Sequence, residues 1–105
     1  KVNLLRQQNQ LEQEKLNLES TINEAYNSAQ GAYKLYEASR KTALARNRAY
    51  KDAINRFEAG VINSFDFNQI RQRFDVATSD VVRAKFDYIF KLKVLEFYFG
   101  LSITL

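Results

Sequence analysis

Reactive chemistry in this chain would have to rest on carboxylates and amines, because its 105 residues include no Cys and no His. That removes thiolate nucleophiles, disulfides and most structural zinc sites, together with the commonest general base and metal ligand. Asp75, Asp80, Asp87 and Glu96 are the acids to consider, and their spacing matches no nucleophile or metal motif. No catalytic, cofactor-binding or metal-ligating residue is therefore expected, and the chain does not read as an enzyme. Arg40, Lys41, Arg46, Arg48 and Lys51 form a basic stretch that a nucleic-acid arm could use. Glu37 and Asp52, however, stand at helical spacing to pair with Lys41 and Arg48, which favours a solvated charged face over a phosphate track. The net charge of +4 is ordinary for a domain of this size. Salt-sensitive binding to polyanions would revive the nucleic-acid reading.

The elements that carry these residues are long helices. Pro is absent and Gly occurs only three times, and both residue types break helix interiors. Residues 1–58 contain only Gly31 as a weak breaker, and the spacing predicts one helix over that span. At 59–64 the run Ala59-Gly60-Val61-Ile62-Asn63-Ser64 supplies a Gly to close one helix and an Asn or Ser to cap the next. With Asn63 as cap, Asp66 occupies the position of a capping-box acid. A return helix is expected over 64–99, stopped by Gly100. Residues 100–105 are expected to begin a strand-like segment, because Leu101 to Leu105 alternate apolar and polar. So short a connection makes an antiparallel hairpin. No stretch is apolar for the ~18 residues of a spanning helix.

The apolar period is nearer 3.5 than 3.6. One seam of the first helix reads Leu11, Leu18, Ile22, Ala25, Ala29, Ala32, Tyr36, Ala43, Tyr50, Ala53 and Phe57, with gaps at Lys15, Ser39 and Arg46. The return helix has Phe67, Ile70, Phe74, Ala77, Val81, Ala84, Tyr88, Leu95 and Tyr98, interrupted by Lys91. Heptads of this persistence imply coiled-coil packing; two amphipathic helices of a globular bundle are the alternative. The first helix also carries a second seam one residue earlier: Ser28, Gly31, Leu35, Ala38, Thr42, Ala45 and Ala49. Its mostly small residues would let another backbone approach, as in a wall of helices, although one wide apolar face explains them too. At 1.5 Å per residue the first helix would be about 87 Å long and the second about 52 Å. Folded back, the second would reach the level of residue 25. Residues 1–24, with Leu4, Leu5, Leu11, Leu16, Leu18 and Ile22, would then need a partner from outside the sequence, which reads as part of a longer protein.

The segment from Phe57 through Ala59-Gly60-Val61-Ile62-Asn63-Ser64-Phe65-Asp66-Phe67 to Gln69 resembles the hairpin tip of the TolC family of outer-membrane efflux proteins. Downstream, Ala77-Thr78-Ser79, Arg83-Ala84-Lys85-Phe86-Asp87-Tyr88 and Leu92-Lys93-Val94-Leu95 leading to Gly100 are similar to the same family's return helix. Ala43 to Tyr50 fits its approach to the tip. The likeness covers residues 40–105, is closer to the Bacteroidetes-type branch than to the enterobacterial one, and treats residues 1–39 as generic coiled coil.

The resemblance implies an all-α fold: a long antiparallel coiled-coil hairpin with unequal arms, the carboxyl-terminal hairpin of a trimeric α-helical barrel. It further implies an outer-membrane exit duct for efflux or type I secretion in a Gram-negative bacterium, with this segment in the periplasm. The homotrimer would meet a periplasmic adaptor (membrane fusion) protein and, through it, an inner-membrane transporter. No cofactor and no nucleic acid are implied, and membrane contact would belong to other segments. The tip residues Ala59, Gly60, Val61, Ile62, Asn63 and Ser64 would dock the adaptor. Phe57 and Asp66 would stand at the entrance or gate. Phe57 lacks the hydroxyl of a hydrogen-bonded latch, and Ile62 and Gln69 replace the family's Arg and second acid. Asp66 also has a purely structural use as a helix-capping acid. A coiled-coil spacer or interaction hairpin without channel function explains the heptads, but gives no special reason for the Ala-Gly tip.

Overall fold

The structure, a computed structural model, describes the backbone of residues 1–104 and the side chains of residues 1–101. Two helices account for nearly all of it: α1, Val2–Glu58, and α2, Ser64–Thr104. No Pro interrupts either helix. Polar β-branched residues are accommodated locally: the hydroxyls of Thr21 and Thr78 donate to the carbonyls of Asn17 and Phe74 one turn earlier, at 2.8 and 3.0 Å.

The end of α2 differs from expectation. Gly100 does not stop it, and residues 101–104 are helical rather than strand-like; Leu105 lies outside the described residues. Gly terminates a helix when the chain there turns left-handed, and Gly60, at φ 73°, is the one described residue that does so. At an ordinary helical φ, Gly costs only about 1 kcal/mol relative to Ala. Propagation of a helix already some thirty-five residues long outweighs that cost.

The residues cluster into two units. Ala32–Tyr88 form one; Lys1–Gly31 and the stretch from Ile89 onward form the other. Within Ala32–Tyr88 the helices pack antiparallel along the two expected seams. Ala32, Ala53, Ala77 and Ala84 are buried, and Tyr36, Ala43, Tyr50, Ile70, Phe74, Val81 and Tyr88 are half-buried. Rings fill the spaces between the alanines. Phe57 stacks on Phe67 at 4.7 Å, Tyr50 on Phe74 at 5.3 Å, and Tyr36 on Tyr88 at 6.5 Å. Tyr50 also meets Phe67 at 5.9 Å. Such offset pairs contribute about 0.5–1.5 kcal/mol each beyond their area. Tyr33, which stands off the seam, joins the ladder by tilting against Tyr88 at 5.3 Å.

In the other unit Ala29 and Leu95 are buried, while Leu18, Ile22, Ala25, Leu92, Val94 and Tyr98 are half-buried. Every residue before Leu18 is exposed. The uncovered stretch is thus residues 1–17 rather than 1–24. Part of the difference follows from the extra turn that α2 gains by running past Gly100.

Candidate functional site

The apex between α1 and α2 is built by backbone hydrogen bonds. Gly60 N–H donates to the Phe57 carbonyl at 3.0 Å and Val61 N–H to the Arg56 carbonyl at 2.8 Å. With Gly60 left-handed, this pair of bonds is a Schellman cap, which satisfies carbonyls that the end of α1 would leave unpaired. Asn63 then opens α2: its Oδ1 accepts the Asp66 N–H at 2.8 Å, and its carbonyl accepts the Phe67 N–H at 3.1 Å. Asp66 lies in the first turn of α2, where the helix dipole favours an acid. No contact within 4 Å meets the space a Gly60 side chain would enter. Ala59, Val61, Asn63 and Ser64 are exposed and only Ile62 is half-buried, so the apex directs its side chains outward. Phe57 is 42% exposed even while stacked on Phe67.

The flanks of the hairpin are as open as its apex. Large apolar residues such as Leu35, Val76 and Phe86 are more than half exposed. Leu35, Ala38, Thr42, Ala45 and Ala49, the second seam of α1 within Ala32–Tyr88, are all exposed. α2 carries a second seam of its own that the apolar pattern did not disclose: Phe65, Gln69, Gln72, Val76, Ser79, Arg83 and Phe86, all exposed. Its steps of four and three are those of the first seam. Two glutamines, a serine and an arginine among its seven positions hid it from a reading based on apolar residues alone.

The two second seams share one side of the hairpin. A groove of about 420 Å³ is lined by Thr42 and Arg46 of α1 and by Gln69, Gln72, Arg73, Val76, Ala77 and Asp80 of α2. Beside it, a second groove of about 420 Å³ runs between Leu35 and Ser39 on α1 and Asp80, Arg83, Ala84 and Asp87 on α2. Asp80 belongs to both.

The charges pair differently from the spacing argument. Glu37 meets Arg40 at 3.6 Å rather than Lys41, and Asp52 meets Arg56 at 3.1 Å rather than Arg48. The second choice follows helix polarity, since an acid one turn before its base is better placed than the reverse. Ala32–Tyr88 hold eleven of the sixteen basic residues and seven of the twelve acidic ones, so the whole net charge sits in this unit. Among the described residues no group of acids could hold a metal ion, and no helix is long and apolar enough to cross a membrane.

An outward-facing Ala-Gly apex on a heptad hairpin with further seams on its flank agrees with a family-level match. The model of the outer membrane efflux protein family (OEP) matches residues 1–100. The chain belongs to that family. The match extends over the amino-terminal heptads as well as the tip and return helix, so residues 1–39 are family sequence too. No curated protein and no solved structure matches the chain. Membership makes the chain a component of an outer-membrane efflux protein, which is a transport family and not an enzymatic one.

Proposed function

We propose that this hairpin is a periplasmic wall element of a trimeric outer-membrane exit duct, and that its apex, Ala59 to Ser64, docks a periplasmic adaptor which couples the duct to an inner-membrane transporter. The observation that carries this reading is the apex itself. Its turn is secured by backbone bonds and the Asn63 cap, which leaves Ala59, Val61 and Ser64 small, outward and available for close approach of another backbone. Phe57 and Asp66 flank that apex and stand at the entrance: the ring narrows it and the carboxylate adds negative charge to it, as charged rings do in channels. The exposed second seams of α1 and α2 support packing against neighbouring helices of the wall.

The test is made in the full-length protein. Replacing Gly60 with Val distorts the apex and should impair export and cross-linking to the adaptor, while outer-membrane assembly persists. Export and cross-linking at wild-type levels would remove the docking role from the apex. In planar bilayers the wild-type protein should conduct, and Phe57→Ala with Asp66→Asn should raise the open probability. Unchanged gating would leave both residues with structural roles only.

A further inference from the structure

A line of positive charge runs along α1 away from both of its seams. Lys34, Lys41 and Arg48 recur at intervals of seven residues, and all three are exposed. That interval returns each to the same side of the helix, about 10.5 Å beyond the one before. Lys34 lies two residues after Ala32 and two before Tyr36, and Lys41 and Arg48 stand in the same relation to the first seam. A step of two turns a helix by about 200°, so the line follows the back of α1, opposite α2. Residues 34–51 carry six basic residues and one acid, a net charge of +5 where the whole chain has +4. The acids within reach are engaged elsewhere: Glu37 pairs with Arg40 at 3.6 Å and Asp52 with Arg56 at 3.1 Å. Among the described residues Lys34, Lys41, Arg48 and Lys51 have no ion-pair or hydrogen-bond partner. The solvated face expected from spacing relied on Glu37 with Lys41 and Asp52 with Arg48, and neither pair forms.

We propose that Lys34, Lys41 and Arg48 bind a carboxylate-bearing glycan strand of the bacterial cell wall, lying along α1, and so tether the hairpin to that wall. This assignment rests on the hairpin being a periplasmic wall element, since the polymer runs through that compartment, but not on adaptor docking at the apex. Charge spacing selects the class of polyanion. Duplex nucleic acid carries one charge per about 1.7 Å of its axis, about six times as densely as the line, and most of its phosphates would face no cation. A glycan with acidic groups about once per disaccharide is as sparsely charged as the line itself. The ammonium groups of Lys34 and Lys41 would meet carboxylates as point charges, and the Arg48 guanidinium through paired, planar N–H donors. Standing off both seams, the line stays uncovered when α2 and a wall neighbour are seated.

The experiment mixes the full-length protein in detergent with insoluble cell-wall sacculi purified from a Gram-negative bacterium and reads the bound fraction by sedimentation. The wild-type protein should sediment with the sacculi. The triple variant Lys34→Gln, Lys41→Gln and Arg48→Gln should bind about ten-fold more weakly, the scale of three exposed ion pairs. Removing as much charge from α2, by Arg71→Gln, Lys85→Gln and Lys93→Gln, should leave binding unchanged. Added salt should erase the difference between the wild type and the first variant, and sacculi whose carboxyl groups have been converted to amides should bind neither. Native-gel mobility checks assembly of each variant. Equal weakening by the two triple variants overturns the proposal, because net charge alone would then explain the binding. Undiminished binding to the amidated sacculi overturns it as well. So does binding of a duplex DNA fragment that the first variant loses, without binding to sacculi. Conductance in planar bilayers, measured on the same preparations, tests the duct separately, and the first variant should conduct as the wild type does. A conducting protein that ignores sacculi refutes the tether and leaves the duct standing; Gly60→Val should bind sacculi normally, which separates this outcome from a failure of apex docking.

Discussion

Gly60 and Gly31 are the same residue type in opposite situations, and exchanging each for Ala should move stability in opposite directions. Gly60 has a φ of 73°, whereas Gly31 lies inside α1 at ordinary helical dihedrals. A methyl group at either position would meet no other atom within 4 Å, so packing drops out and only the backbone remains. At Gly60 the left-handed conformation costs a residue with a Cβ about 1–2 kcal/mol. Escaping that conformation would instead sacrifice the Gly60 and Val61 hydrogen bonds, at about 0.5–1.5 kcal/mol each. The cheaper route sets the loss, at about 1–2 kcal/mol. At Gly31 the exchange should stabilise α1 by about 0.5–1 kcal/mol. For a chain of this size 1 kcal/mol moves the midpoint by about 4–8 °C. Thermal unfolding of the 105-residue chain, followed by circular dichroism at 222 nm, should thus show Tm falling for Gly60→Ala and rising for Gly31→Ala. Equal shifts would refute the claim that one glycine, through its dihedral angle alone, closes α1. As a further check, Gly60→Asn should lose less than Gly60→Ala, because Asn tolerates the left-handed region.

Other outcomes follow from the same geometry. Asn63→Ala removes the side-chain cap on the Asp66 N–H and should cost about 1 kcal/mol in a urea titration. Tyr50→Leu forfeits ring pairs with Phe67 and Phe74 and should cost about 1–2 kcal/mol, while Tyr33→Leu, with one ring partner, should cost less. Ala53→Leu forces bulk into a site that is 2% exposed and should destabilise by about 1–3 kcal/mol. Asp52→Asn breaks a pair whose side chains are both about 60% exposed and should change the urea midpoint negligibly.

What could be read from residue order was what depends on neighbours in sequence. The turn at Gly60 and the cap at Asn63 need one dihedral angle and one side-chain oxygen, and both are local demands. The apolar seams were legible because a heptad pattern repeated over many turns leaves little freedom in which face is buried. Gly100 was misread because the preference of a single residue competes there with the cooperativity of a long helix, and because the five residues after Gly100 that look strand-like are too few to fix a period. Tyr33 was missed because a large ring can reach a partner from beside the seam, which spacing alone does not register. The second seam of α2 was missed because Gln69, Gln72 and Arg83 occupy it. Its regularity lies in the steps, not in hydrophobicity. The ion pairs of Glu37 and Asp52 went to partners other than those chosen by spacing, since several bases lie within reach and the polarity of the helix and the shape of the guanidinium decide among them.

The hinge of the hairpin is fastened by main-chain atoms and one asparagine, and that separates two kinds of evolutionary constraint. The bonds that reverse the chain use no side chain of Ala59, Val61 or Ser64, so exchanges there should leave the turn in place. A protein so made can vary the surface of its apex without relearning how to fold.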